Sequence, residues 1–416
     1  MGPRRRILRA SCACAIFTAS TQIFSARSFA FPRHLSTGAS NAHCTYTNHR
    51  RIITSSALFA GGFGTKPSST KKPKRMNPNQ AKKATQQLLD RYGGDIQKGT
   101  QSRIDAALSS LPSHIQQAAS LYKQLTQFDA LIAPMTEPDR KRLIPPEQWA
   151  VSASNRNTLQ QLMKEHSITE NDLHNIYQKI TWDASADAKA TRADIAGNAM
   201  KDNLQERISR ACEITVEAVA SNSDNHDRTG MLLDIGCGHG SIIPSLDNLA
   251  HDSYVGIDLS DEMIRNARER YGDADARGKK RVFVADDFLT HDFSVYARQD
   301  GMNDSQNNGS DIFDAVMFCS SLHDLPDMEH CIGRAASLLR SGGKLVVVHA
   351  QGAMHVVNQH QSNPVMVQRS LPTASEWNEM IIAHKDDWKL SLEYEPADPR
   401  SDRDEREGYL AVLVKE

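Results

Sequence analysis

The run Met231-Leu232-Leu233-Asp234-Ile235-Gly236-Cys237-Gly238-His239-Gly240 constrains the fold more than any other part of this chain. A short apolar strand runs into a turn with glycine at every second position. Without a Cβ, glycine lets the backbone bend sharply and lie directly against a ligand. In a doubly wound sheet such a turn sits at the carboxyl end of the first strand, where ligands bind. Ser241 to Leu249 is expected to continue as a helix. Taken alone, the turn also fits an ordinary strand-to-helix connection, so the residues that follow decide its meaning.

Gly236 is followed 22 residues later by Asp258, which ends a second apolar strand, Tyr254-Val255-Gly256-Ile257-Asp258. Ser260-Asp261-Glu262 then opens a helix. A carboxylate in that place can accept both hydroxyls of a ribose. A third strand, Arg281 to Ala285, ends at Asp286-Asp287-Phe288, where a carboxylate can receive an adenine amino group. Phe313 to Phe318 reads as a fourth strand and Gly343 to Val348 as a fifth. Strand, glycine turn, strand-Asp and strand-Asp, in that order, describe a nucleoside site. A nicotinamide dinucleotide fingerprint would need a glycine where this chain has Ser241. Asp234 ahead of the turn also disfavours that alternative.

On these motifs, residues 230 to 416 resemble the class I S-adenosylmethionine-dependent methyltransferases, in the small-molecule branch that includes quinone methyltransferases. The resemblance implies a Rossmann-like α/β fold: a seven-stranded, mostly parallel sheet with one antiparallel strand, here preceded by a helical region. It implies that Asp234, Gly236, Cys237, Gly238 and Gly240 hold the methionine part of S-adenosyl-L-methionine, and that Asp258 binds the ribose. Asp286, with Asp287 as its rival, would take the adenine amino group, and Leu259 and Phe288 would form apolar walls. The exit Ser320-Ser321-Leu322-His323-Asp324-Leu325 and the turn Leu338 to Lys344 match the same pattern. Trp388 to Tyr394 and Tyr409 to Val414 are the expected last two strands, separated by a charged loop from Asp398 to Glu407. Thr373-Ala374-Ser375-Glu376 caps the helix before them, and Asp300 to Asp311 reads as a flexible insertion.

Charge divides the chain. No Asp or Glu precedes Asp90, and that stretch carries 15 of the 49 Lys and Arg, which leaves 34 basic against 50 acidic residues in the remainder. An acidic body repels a phosphate backbone, so DNA is not an expected partner, and small molecules or basic proteins fit better. Residues 1–84 read as a targeting presequence and basic linker. Ser28-Phe29-Ala30-Phe31 resembles a complex-plastid cleavage site, whereas Arg27 and Arg33 stand where mitochondrial presequences are cut. Arg50-Arg51 ahead of an apolar stretch leaves a twin-arginine thylakoid signal open. The expected location is therefore mitochondrion or plastid rather than secretion, with a solvated basic tail as the other reading.

Residues 85–220 read as a helical region that covers the substrate or an interaction surface, and 221–416 as the methyltransferase domain. Ile115, Ala118, Ala119, Tyr122, Leu125, Phe128 and Ile132 form one helical apolar stripe, and Leu173, Ile176, Tyr177 and Ile180 another. Thr169 and Asp172 give the second a capped start, and Pro145-Pro146-Glu147 opens a new helix. Trp182 lies where a lid would approach the core, to stack on a substrate or simply to pack. No segment has the roughly 18 to 20 consecutive apolar residues of a membrane span. The seven cysteines have no zinc-like spacing, so reduced thiols and no metal are expected.

The implied reaction is displacement at an activated methyl group, driven largely by alignment and exclusion of water. His323, following the fourth strand, is the candidate general base, with a helix-capping or exposed histidine as the alternative. His349, His355 and His360 cluster after the fifth strand, with spacing that suits no standard metal site. Cys237 and Cys319 also read as small packing residues. Neither an Asp/Asn-Pro-Pro-Tyr/Phe motif of adenine-amino methyltransferases nor a Pro-Cys nucleophile occurs. A small-molecule acceptor is the leading expectation. The alternatives are a protein methyltransferase and a non-catalytic organellar assembly factor that keeps the cofactor fold. The sequence does not set the oligomeric state.

Overall fold

The computed structural model describes residues 99–196, 202–222, 230–247, 249, 253–274, 278, 280–297 and 311–416, all within one compact unit spanning 52–416. The targeting signals read between residues 1 and 84, and nearly all of the insertion read at 300–311, lie outside the described residues.

The amino-terminal part is helical: α1 (99–110), α2 (Ser113–Ile132), α3 (Glu137–Leu143), α4 (Pro146–His166), α5 (Glu170–Ala196) and α6 (Asp202–Asn222). The stripe on α2 buries Ala118, Ala119, Tyr122, Leu125 and Phe128. With Leu159 of α4 and Leu173 and Tyr177 of α5, most of these residues form a separate small core. The helix starts follow from the sequence. Pro146 occupies the first turn of α4, where a missing N–H costs nothing. Asp172 accepts from the Thr169 backbone N–H at 2.7 Å and donates its own to the Thr169 hydroxyl at 3.1 Å.

The rest of the chain winds a seven-stranded sheet from β1 (Met231–Ile235), β2 (Ser253–Asp258), β3 (Lys280–Ala285), β4 (Phe313–Cys319), β5 (Leu339–His349), β6 (Leu390–Tyr394) and β7 (Tyr409–Lys415). Between them run α7 (Ile243–Leu246), α8 (Asp261–Tyr271), α9 (Ser294–Ala297), α10 (Met328–Leu338), α11 (Ala353–Ser362), α12 (Ala374–Ala383), α13 (Lys385–Trp388) and α14 (Asp402–Glu407). The strand order is β3-β2-β1-β4-β5-β7-β6. The first five strands are parallel, and β7 runs antiparallel between β5 and β6. This is the seven-stranded, mostly parallel Rossmann-like sheet with one antiparallel strand that the resemblance implied.

Side chains alternate between the two faces, as strand geometry requires. Leu233, Ile235, Ile257, Phe318 and Val347 pack toward α10 and α12. Leu232, Tyr254, Phe283, Met317 and Val346 pack with Ile208, Ala211 and Val219 of α6 and with α7 and α8. No described helix is long and apolar enough to cross a membrane.

Local structure departs from the sequence reading in four places. The helix expected over Ser241 to Leu249 is only the single turn α7, with Pro244 in its first turn. The Leu338 to Lys344 turn is taken into β5, which pairs Leu339 with Phe313 before a register shift, with Gly342 at φ +76°. Trp388 ends the short helix α13 rather than starting a strand, because Lys389 adopts the left-handed conformation. The charged loop at 398–407 contains α14, capped by Ser401, whose hydroxyl accepts from the Asp404 N–H at 3.2 Å. Short-range side-chain caps and single left-handed residues override an apolar pattern over so few residues.

One buried ion pair ties the sheet's N-terminal edge together. Asp314 Oδ2 accepts both the Met231 backbone N–H and an Arg340 guanidinium N–H, each at 2.8 Å, and the two side chains are 3% and 9% exposed. Removing one member of such a pair strands its partner away from water, at a cost of about 3–5 kcal/mol. Asp314→Ala is therefore expected to lower the unfolding free energy by about that amount in urea titration. A loss under about 1 kcal/mol would mean that solvent reaches Arg340.

Candidate functional site

The sheet order reverses at β1 and β4, so the crevice at the carboxyl ends of these strands is the expected ligand position. Gly236, Gly238 and Gly240 all have positive φ, at +70°, +54° and +79°. Gly236 is forced by proximity: a Cβ there would lie 2.4 Å from the Ser321 Cβ at the exit of β4. Ser321 in turn donates its hydroxyl to the Ile235 carbonyl. Gly238 faces open space, with nothing within 4 Å of a Cβ position. The turn therefore presents bare backbone to the crevice.

Asp258 fixes that turn. Its Oδ2 accepts the Gly238 N–H at 2.8 Å and its Oδ1 the Ser260 N–H at 2.9 Å. A carboxylate offers about four acceptor positions, so about two remain for a ligand's hydroxyls. Burial pushes the Asp258 pKa upward, while the Ser260 and Gly238 amides and the charge of Lys189 pull it back.

Asp234 lies one layer deeper, 1% exposed. Its Oδ2 accepts the Tyr254 hydroxyl at 2.8 Å, and its Oδ1 has no partner among the described residues. Burial raises its pKa to about 7, against the Tyr254 hydrogen bond. Cys237 is buried beside it, and burial raises its thiol well above the ordinary range.

The two acids after β3 point different ways. Asp286 is exposed and pairs with His291 Nδ1 at 2.8 Å, which holds its pKa below the usual carboxylate range. Asp287 is half-buried: one oxygen accepts the Leu289 N–H at 2.9 Å, the other the Asn175 side-chain amide of α5 at 3.0 Å. Leu259 is partly exposed beside Asp258. Phe288 is 3% exposed, its ring edge-on to Phe293 and Phe318 in the sheet core.

Helix α5 lies along this rim and bonds to the exits of three strands. Asp183 accepts the Ser260 hydroxyl at 2.6 Å after β2. Lys179 donates to the Leu259 carbonyl at 3.2 Å and pairs with Asp261. Asn175 holds Asp287 after β3, while His174 Nε2 and the Gln178 amide meet the Asp324 carbonyl after β4, at 2.8 and 2.9 Å. Trp182 donates to Gln178 at 2.7 Å, with the Lys189 ammonium 3.5 Å above its ring. The sequence reading singled out only Trp182 of these. The i,i+4 rows 174/178/182 and 175/179/183 were visible as polar spacing, but nothing local names their partners.

His323 is 3% exposed at the exit of β4, with Nε2 3.5 Å from Asp324 Oδ1 and Nδ1 without a partner among the described residues. Its ring meets His349 edge-on at 5.1 Å, and His349 stacks on His355 at 5.5 Å. Burial pushes the His323 pKa down to about 4 and that of His349 to about 3, and it raises the Asp324 carboxyl to about 7. His360 stands apart, bonded to the Val367 carbonyl at 2.6 Å. Among the described residues no group of three or more His, Cys, Asp or Glu is arranged to hold a metal ion.

Residues 233–345, from β1 into β5, match the family described as a methyltransferase domain. The 27-O-demethylrifamycin SV methyltransferase of Amycolatopsis mediterranei (strain S699) is 32% identical over 116 residues, which is 28% of this chain and 37% of that protein. The chain thus spans little more than a third of the length of this curated relative. Among solved structures, magnesium protoporphyrin IX methyltransferase from Synechocystis PCC 6803 with bound S-adenosylmethionine aligns at 18% identity and a TM-score of 0.35, covering 57% of this chain and 97% of that one. The phosphoethanolamine N-methyltransferase 2 of Haemonchus contortus aligns at 20% identity and a TM-score of 0.31, over 43% and 38% of the two chains. Residues 233–345 thus carry a methyltransferase domain of the class I, S-adenosylmethionine-dependent kind.

Asp234 provides a pH test of the site. Its folded pKa of about 7 lies above the ordinary value of 3.8, so the folded state binds the extra proton between these limits. Stability from this group is full below the lower value and is lost as pH rises toward about 7, by at most ~1.4 kcal/mol per unit. Asp234→Asn keeps an acceptor for Tyr254 and removes the titration. Its urea midpoint relative to wild type should therefore rise between pH 5 and pH 8. Parallel pH profiles would show that Asp234 is ionised throughout.

Proposed function

We propose that this chain, built on a class I methyltransferase domain, transfers a methyl group from S-adenosylmethionine to a small-molecule acceptor by direct displacement. The observation that carries the reading is the bare turn at Gly238 held by Asp258, whose two oxygens each keep capacity for a further hydrogen bond. When bound, S-adenosylmethionine supplies a methyl carbon activated by its sulfonium. The chain's own residues bind, orient and exclude water.

In this reading the backbone of Gly236, Gly238 and Gly240 receives the methionine part, and the unpartnered Asp234 Oδ1 gives a buried acceptor beneath it. Asp258 takes the ribose hydroxyls. Of the two acids after β3, both accept hydrogen bonds on each oxygen, and Asp287 is favoured for the adenine amino group because it is half-buried under α5 while Asp286 is exposed. Leu259 lines the crevice. Phe288 and Cys237 support it from the core, which matches the packing alternative already open for Cys237. Helix α5 closes the rim, so cofactor entry requires its polar contacts to open.

His323 remains the candidate base on the acceptor side. With a pKa near 4 it is neutral at physiological pH and free to accept a proton, but it is a weak base. Alignment of the acceptor must then contribute most of the acceleration. An acidic body and a relative named for a small-molecule acceptor both support a metabolite over nucleic acid. The acid-free, arginine-bearing start of the chain supports organellar import. Residues 1–40 fused to a fluorescent protein should leave the cytosol, and a diffuse cytosolic signal would remove that part of the proposal.

Calorimetric titration with S-adenosylmethionine tests the donor site. Wild type should bind saturably, and Asp258→Ala should weaken binding at least about tenfold, the equivalent of ~1.4 kcal/mol from lost hydroxyl contacts and a loosened turn. Absence of binding by the folded protein would overturn the proposal and bring the non-catalytic assembly factor forward.

A further inference from the structure

On the other half of the sheet a second cavity, of about 160 Å³, opens between α6, the end of β5 and the β6–α14–β7 connection. Arg207, Arg210, Arg403 and Arg406 line it, against two carboxylates, Glu206 and Glu407. With the buried Asp404, which also acts on Arg207, counted beside these two acids, the four guanidinium groups keep an excess of one positive charge in one concave site. The expected cofactor crevice lies at the carboxyl ends of β1, β2 and β4, whereas this cavity is lined from β5, β6 and β7, so it is a separate place in the fold.

The four arginines are not equivalent. Arg207 is built in: its guanidinium donates to the carbonyls of Ala350, Glu405 and Arg406, while its buried Nε has no partner. Gly408 makes room for it, since at φ +73° a Cβ there would stand 3.2 Å from the Arg207 Cδ and 2.9 Å from the Ala350 carbonyl oxygen. Arg403 is held by Glu407 at 3.0 Å and by the Tyr394 hydroxyl at 2.6 Å. Arg406 reaches Glu407 only at 3.8 Å. Arg210 has no hydrogen bond or ion pair among the described residues. It lies 5.1 Å from the centre of the Tyr394 ring, with Arg403 also 5.1 Å from it.

A ring that orients two guanidinium groups, a third fixed by backbone carbonyls, and donors left over on Arg210 and Arg406 form a preorganised fork for an oxyanion. We infer that this cavity binds a compact oxyanion, a phosphate or carboxylate group, at a site distinct from the cofactor crevice. Arg210 and Arg406 are the donors that close on it. Arg207 is the floor that positions the turn. The inference does not rest on the methyl-transfer reading.

Calorimetric titration of the full-length protein with inorganic phosphate and with succinate, against a chloride-matched blank, tests it. One of the two anions should bind saturably with a stoichiometry of one. Arg210→Gln should weaken that binding at least about tenfold and Arg406→Gln should weaken it less, since Arg406 has a carboxylate neighbour to satisfy. Both residues are exposed, so neither variant is expected to change the thermal midpoint without anion. S-adenosylmethionine titrations on the same variants should be unchanged. Binding of phosphate alone assigns a tetrahedral anion, and binding of succinate alone a carboxylate. Failure of both to bind, or equal binding by Arg210→Gln and wild type, overturns the inference.

Discussion

The close approach of the β1 exit to its neighbours governs the rest of this structure. Gly236 sits against Ser321 with no room for a side chain. Its N–H and that of Cys237 donate to the Ile257 carbonyl at the end of β2, at 2.8 and 3.1 Å. Three strand ends are thereby locked at the point where the strand order reverses. The price is three glycines with positive φ in one turn, which ordinary side chains rarely tolerate. The same turn exposes its backbone, and Asp258 links it to the start of α8. The exposed backbone of the turn and its close packing against the β4 exit are therefore one object, and a change at Gly236 acts on both.

Around that turn the titratable groups follow burial. Asp234 and Asp324 are pushed upward and His323 and His349 downward, so each neutral form is favoured in the interior. Helix α5 completes the enclosure with hydrogen bonds to the exits of β2, β3 and β4 rather than with an apolar face. Polar contacts at a rim exchange with water at modest net cost.

The sequence exposed this architecture where periodicity and glycine spacing are strong. Five parallel strands, the turn at Gly236 to Gly240 and the carboxylates at 258, 286 and 287 were legible because each rests on a local pattern. Element ends were less so. Trp388 was read into a strand although Lys389 turns the chain, and α14 was hidden in a charged run, because caps at Ser401 and left-handed residues act over three or four positions. The choice between Asp286 and Asp287 was also closed to the sequence. Adjacent acids differ only in what they meet, and His291 and Asn175 approach from different elements.

The sequence by itself determined a doubly wound sheet, the glycine turn after its first strand, and the presence of acids at the ends of the second and third strands. These depend on backbone freedom, alternation and short spacing, which the chain carries locally. Only the tertiary structure decided that α5 covers three strand exits, that Phe288 and Cys237 belong to the core, and that Arg207, Arg210, Arg403 and Arg406 share one cavity. Those residues lie nearly 200 positions apart in the chain. Packing and the removal of water from particular side chains, neither of which a linear pattern records, brought them together.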